Sequence, residues 1–225
     1  MKIGILQCGH VPPALEEMGD YDEMFARLLD GRGFTFRSFD VEAGVVPEDP
    51  HLCDGWLITG SRHGAYEEHA WIAPLEALIR AVHRAHVPMI GVCFGHQIIA
   101  QALGGRVEKF AGGWSVGRQV YRIDGQELPL NAWHQDQVVD LPAGAEVVGA
   151  SEFCRYAALS YGGTIFTVQP HPEYAGDFIG GLIATRGKGV VPQPLLDTAT
   201  AHLDEPVAQQ AMADRFAAVF NRVPA

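Results

Sequence analysis

The four cysteines of this chain, Cys8, Cys53, Cys93 and Cys154, are far apart and form no C-x-x-C pair, so neither a disulfide framework nor a zinc-binding knuckle is expected. Positive charge is scarce too. Sixteen Lys and Arg stand against 27 Asp and Glu, a formal charge of −11, and no basic cluster could neutralise a run of phosphates; nucleic acid is not an expected partner. No uninterrupted apolar run reaches membrane length, and only Lys2 precedes the short Ile3-Gly4-Ile5-Leu6. A cytoplasmic protein without a membrane partner is therefore expected. Internal repeats and low-complexity tracts are missing. His63, His69, His83 and His86 cluster loosely but, apart from weak possibilities in the loop, do not share one helical face at ligand spacing; they read as solvated surface, and neither a metal nor a cofactor is expected. What remains is 225 residues at 48% hydrophobic content, enough to bury a full core as one domain over 1–225 and short for two.

Strands and helices alternate along the first half. Lys2 to Gln7 reads as a strand. Asp20-Tyr21-Asp22-Glu23 is a capping-box start to a helix whose Tyr21, Met24, Phe25 and Leu28 recur at helical spacing, with Gly31 and Gly33 ending it. Strands follow at Phe34 to Val41 and Asp54 to Thr59, then a helix opened by Pro74 with Leu75, Leu78, Ile79 and Val82 on its buried face. This order predicts an α/β fold: a mostly parallel central sheet with helices on both faces, in flavodoxin-like layering, and a site at the carboxyl ends of the strands. From about 106 to 168, short strand-like runs such as Val116 to Ile123, Glu146 to Ala150 and Arg155 to Ser160 predict a small antiparallel extension. A C-terminal tail from about 188 to 225 reads as a linker over Lys188 to Pro194 and a helix from about Pro206 to Asn221 that packs on the core.

Cys93 is the most informative residue. It lies in Gly91-Val92-Cys93-Phe94-Gly95-His96-Gln97, where the apolar strand Val87 to Val92 gives way to the helical run Ile98 to Leu103. A strand-turn-helix elbow forces the turn residue into a sparsely populated backbone conformation, and small neighbours such as Gly91 and Gly95 make room for it. The helix that follows aims free N–H groups at the sulfur, which favours thiolate. The competing reading is a buried, inert thiol. It loses ground to a second segment, in which the strand Thr164 to Val168 runs into Gln169-Pro170-His171-Pro172-Glu173. The two prolines fix an extended exit that sets residues 171 and 173 on one side of the chain. A thiol needs a base, and the base needs a group to orient it. Cys93, His171 and Glu173 fill those roles.

The pattern G-x-C-x-G-H-Q followed by P-H-P-E resembles the triad-type (class I) glutamine amidotransferase family, over most of the chain up to about residue 185. The resemblance implies hydrolysis of a γ-glutamyl amide through a cysteine thioester, with Cys93 as nucleophile, His171 as base and Glu173 as its orienter. It implies that Gln97 contacts substrate one turn into the elbow helix, and that His134-Gln135-Asp136 corresponds to an H-x-D loop whose Asp136 faces the substrate's α-amino group. Residue by residue that last correspondence is weak, since His134 and Asp136 also suit an ordinary polar turn. Where the family has a Gly-Gly-Pro-type loop, this chain has Gly60-Ser61-Arg62-His63-Gly64. Backbone N–H groups of Ser61 and Phe94 can still form the oxyanion hole, because a backbone donor does not depend on side-chain identity. Gly60 is placed with the substrate-binding residues. With Tyr66-Glu67 and Trp71-Ile72, this loop is similar to the free-standing, GMP-synthase-like branch that includes γ-glutamyl peptide hydrolases.

Three functions are compatible with these residues. In the first, glutamine is hydrolysed to glutamate and ammonia, and the ammonia passes to a separate synthase subunit. The second is a free-standing hydrolase of γ-glutamyl amides or peptides, whose released amine lies against Arg62, His63 and Tyr66. The third, a non-catalytic regulator that keeps the fold, is disfavoured by the intact Cys/His/Glu set.

Overall fold

The computed structural model describes residues 1–222. Its first half follows the predicted alternation. Strand β1 (Lys2–Gln7) leads through a 3₁₀ turn at Pro13–Met18 into helix α1 (Tyr21–Leu28), whose capping box is formed by Asp20 and Glu23. Strands β2 (Thr35–Asp40) and β3 (Gly55–Ile58) precede helix α2 (Ile72–Arg84), and β4 (Met89–Val92) runs straight into α3 (Phe94–Ala102). Helix α2 begins two residues before Pro74, which therefore sits within its first turn, where a missing N–H costs nothing.

The second half is mainly strands: β5 (Arg106–Lys109), β6 (Ser115–Ile123), β7 (Gln126–His134), β8 (Asp136–Asp140), β9 (Ala145–Ala150), β10 (Ala158–Tyr161) and β11 (Ile165–Val168). One nine-stranded sheet runs in the order β2-β1-β3-β4-β11-β10-β9-β6-β7. Its strands β2 to β11 pair in parallel, and from β10 onward the pairing is antiparallel. The extension is thus continuous with the central sheet, and β5 and β8 form a separate antiparallel pair. Residues Arg155 to Ala157, expected to open a strand, lie before β10 rather than in it.

Side chains on successive residues of a strand point to opposite faces. Trp56 and Ile58 of β3 pack with Leu75, Leu78 and Ile79 of α2 and Ile98 and Ile99 of α3, whereas Leu57 faces the other core with Phe25 of α1. Helices therefore cover both faces.

Beyond β11 come α4 (Gly176–Leu182), a π-type turn at Ile183–Gly187, α5 (Gln193–Ala201) and α6 (Gln209–Phe220). The expected linker over Lys188 to Pro194 is shorter than that: Gln193 and Pro194 already belong to α5, which the sequence reading did not anticipate. Pro192 and Pro194 read as linker residues, yet a proline in the first helical turn is well tolerated. Helix α6 falls where the C-terminal helix was expected, and it buries Met212, Phe216, Val219 and Phe220 in the core shared with α1. Each such side chain contributes about 1.5–3 kcal/mol of burial, so α6 is a core element. Positions 223–225 of the expected tail lie outside the described residues.

Candidate active site

The site begins with the elbow. Cys93 has φ 53° and ψ −103°, in the left-handed half of the backbone map where side chains are strained, and it is almost completely buried. Both neighbouring glycines are needed for this turn. A Cβ on Gly91 would come 2.5 Å from the Gly95 carbonyl oxygen, and one on Gly95 would strike the carbonyl of Ile58. The Cys93 N–H is held by the Val168 carbonyl at 2.9 Å, which continues the β4–β11 pairing one residue past the strand end. Because β4 and β11 run parallel and adjacent, Cys93 and the segment Gln169 to Glu173 leave the sheet side by side.

That adjacency brings the three residues together. His171 Nδ1 and Glu173 Oε1 are 2.7 Å apart with both side chains buried, and Cys93 lies within hydrogen-bonding reach of the same imidazole. Burial by itself disfavours the imidazolium. The charges of Cys93 and Glu173, and hydrogen bonds to both, outweigh it and raise His171 to about 10. Two contacts fix the ring, Glu173 at Nδ1 and Tyr174 stacked flat against it at 4.0 Å and 5°, while the backbone N–H of His171 donates to the Asn131 carbonyl at 2.8 Å and anchors the main chain. Asn131 in turn donates through Nδ2 to the Tyr174 carbonyl at 2.9 Å.

A cavity of about 300 Å³ opens over the sulfur. Ser61, Cys93, Gln97, His134 and Asp136 line it; Gly60, Phe94, His171 and Glu173 do not. Gly60 abuts both side chains: a Cβ there would lie 3.0 Å from His171 Cε1 and 3.9 Å from Cys93 Cβ. Phe94 is the first residue of α3, so its N–H has no partner within the helix. Gln97 donates to the Asp136 carbonyl at 2.9 Å and to Gln169 Oε1 at 3.2 Å, tying the elbow helix to the start of β8 and to the residue after β11. His134 ends β7 and Asp136 begins β8, so the two residues are strand termini rather than a turn. Burial, with the charges of His171 and His96 adding to it, lowers His134 to about 3, and its Nε2 has no partner. Asp136 is raised by partial burial, and it accepts a hydrogen bond from Tyr66, which burial and Asp136 together push up to about 12.

Arg62 and His63 reach the cavity as expected, but they do not offer free positive charge. Glu42 binds Arg62 at 2.8 Å and His63 Nε2 at 3.2 Å. The opposite wall is Lys109, Trp114, Trp133 and Val190, which the sequence reading missed. Tyr174 carried a signal, as it directly follows the proline-framed motif. Lys109 and Trp114 carried none, because strand pairing in the second half of the chain delivers them.

The family described as Glutamine amidotransferase class-I matches residues 33–181. Gamma-glutamyl peptidase 4 of Arabidopsis thaliana is 30% identical over 209 residues, covering 85% of this chain and 83% of that protein. A GMP synthase [glutamine-hydrolyzing] of Macrococcus caseolyticus is 26% identical over 173 residues, 71% of this chain but 33% of the synthase. Among solved structures, a glutamine amido transferase from Methylobacillus Flagellatus superposes with a TM-score of 0.79 at 22% identity, covering 97% of this chain and 92% of that one, a likeness of fold.

Proposed function

The chain belongs to the class-I glutamine amidotransferase family, and on that premise we propose that it is an enzyme hydrolysing γ-glutamyl amide bonds through a thioester on Cys93. The observation that carries this reading is His171, held at 2.7 Å by Glu173 and in contact with a cysteine at φ 53°. In this mechanism the Cys93 thiolate attacks the γ-carbonyl carbon, and the N–H groups of Ser61 and Phe94 receive the oxyanion. Glu173 occupies Nδ1, so the other ring nitrogen, Nε2, delivers the proton to the departing amine. Water, deprotonated by the same nitrogen, then attacks the thioester carbon; the C–S bond breaks, glutamate leaves and the thiolate is restored. In this reading His134 Nε2, Gln97 and Asp136 receive the polar end of the glutamyl group.

The free-standing form of this activity is the one we favour, acting on a small soluble γ-glutamyl compound in the cytoplasm, without a synthase partner. The support is the match to a gamma-glutamyl peptidase along most of both chains and the second wall of the cavity. Trp114, Trp133 and Val190 provide an apolar surface beyond the sulfur, which suits an amine portion larger than ammonia. With Arg62 and His63 already paired to Glu42, their contribution to amine binding is secondary to that wall. Acid quenching of the enzyme during turnover, followed by mass spectrometry, is expected to find a γ-glutamyl group on Cys93. Steady-state comparison is expected to give a higher kcat/KM for γ-glutamyl amides of apolar or aromatic amines than for glutamine. No adduct would remove the thioester mechanism. An adduct with glutamine as the best substrate, unaffected by Trp114→Ala or Arg62→Ala, would leave a glutaminase that feeds a partner.

A further inference from the structure

The loop from Ser61 to Trp71 holds a group of side chains that the proposed reaction does not use. One ring nitrogen of His63, one of His69 and a carboxylate oxygen of Glu67 converge, all mutually within 4.8 Å. Glu67 Oε2 is 3.2 Å from His63 and 2.7 Å from His69. The other ring nitrogen of His63 meets Glu42 Oε1 at 3.2 Å. A neutral imidazole carries one N–H. Arg62 Nε also approaches His63 Nε2, at 3.3 Å, so whether that N–H is turned to Glu42 or to Glu67 one ring nitrogen keeps a lone pair, and His69 Nε2 meets the same Glu67 oxygen. Three side chains of metal-ligating type therefore present their donor atoms to one point.

We propose that His63, Glu67 and His69 form a binding site for a zinc-class divalent cation, fastening the loop that carries Ser61 at the edge of the cavity. Two imidazoles and one carboxylate are the donor set that borderline metals take, with a fourth position left to water. In a tetrahedral site with such ligands neighbouring donors are about 3.3–3.5 Å apart. The His63–Glu67 separation already matches this, and His69 need open only slightly from Glu67. Glu42 supplies the carboxylate that fixes the tautomer and orientation of a ligating histidine. His69 is also pre-positioned, since its ring stacks on the buried Trp71 at 5.6 Å and 6°. The ligands remain accessible, with side-chain exposures of 18% for His63, 33% for His69 and 42% for Glu67. His63 also donates its backbone N–H to Ser61 Oγ at 3.1 Å, so an ion held here acts on the loop one residue pair from the proposed oxyanion donor.

The test is a cobalt(II) titration of the full chain carrying Cys93→Ala, which removes the cysteine that lines the cavity as a competing ligand. The expected result is one equivalent bound, with visible ligand-field bands and quenching of Trp71 fluorescence, and displacement by zinc. His69→Ala and Glu67→Gln are each expected to weaken binding by more than about tenfold, and Glu42→Gln by about ten- to a hundredfold. His83→Ala, in a histidine pair elsewhere on the surface, is expected to change nothing. Equal affinity in His69→Ala, Glu67→Gln and the parent, or no ligand-field spectrum at all, would overturn the proposal and leave a proton as the cation between Glu67 and the two rings. None of these readouts depends on turnover, so a failure here is separate from a failure of the hydrolase reading.

Discussion

Replacing Gly60 by alanine should damage the chemistry while sparing the fold. Gly60 is not at positive φ, so the backbone accepts alanine without strain; the added methyl group acts only through space. Its Cβ would lie 3.0 Å from His171 Cε1 and 3.9 Å from Cys93 Cβ. Carbon atoms rest at about 3.5–4.0 Å, so the imidazole has to retreat by roughly half an ångström. It has nowhere soft to go. Glu173 holds Nδ1 at 2.7 Å and Tyr174 closes the face at 4.0 Å, so the displacement falls on the contact with Cys93. Misplacement of reacting groups by about 1 Å can cost about a hundredfold, and half of that displacement predicts a loss of about tenfold in kcat, or about 1.4 kcal/mol. Glutamate release under saturating γ-glutamyl substrate, set beside the melting temperature, measures both quantities. Gly95→Ala supplies the contrast: its Cβ meets the Ile58 carbonyl, a backbone atom, so stability itself should fall by about 1–3 kcal/mol. A Gly60→Ala enzyme with kcat within about twofold of the parent would refute the reasoning, and a change confined to KM would move Gly60 from positioning the base to binding substrate.

Cys93→Ala is expected to abolish turnover with little change in melting temperature, and activity near the parent's would disprove the nucleophile. His171→Asn should lose orders of magnitude, while Glu173→Gln, which keeps an acceptor near Nδ1, should retain more; equal inactivity of Glu173→Gln and Cys93→Ala would show that the carboxylate does more than orient. Tyr174→Ala, by freeing the face of His171, should lower kcat more than it raises KM, with Tyr174→Phe restoring it, and a KM effect alone would contradict the stacking role. His96 and His134 are buried and lowered to about 3 in the fold against about 6.5 unfolded. Their neutral burial therefore stabilises above pH 6.5 and is lost as pH falls from 6.5 toward 3, by about 2 kcal/mol each at pH 5. His171, raised to about 10, acts oppositely: its contribution is complete below pH 6.5 and disappears as pH rises toward 10. Melting temperatures across pH 5–10 check both limbs. His96→Gln should flatten the acid side and Cys93→Ala the alkaline side, and unchanged slopes would reject these assignments.

Local chemistry in the sequence determined a good deal of this protein. The capping box at Asp20 and Glu23, the 3.6-residue spacing of Tyr21, Met24, Phe25 and Leu28, and the glycines around Cys93 act over a few residues, so their consequences are readable without partners. The P-H-P-E run is of the same kind, since proline fixes its backbone wherever the chain goes. What only the tertiary structure decided depends on partners distant in sequence. Parallel pairing of β4 with β11 places residue 93 beside residue 171, and nothing near either residue states that register. The pairing of β5 with β8 brings Lys109 to Asp136. Glu42 reaches Arg62 and His63 from the end of another strand and cancels a positive rim that the loop sequence alone would advertise. Helix α5 had weak periodicity and two prolines, and packing of Leu196 and Ala199 against Val116 and Val191 secures it. Propensity and pattern are short-range quantities, whereas the shape and charge of a cavity are sums over segments that meet only when the sheet closes.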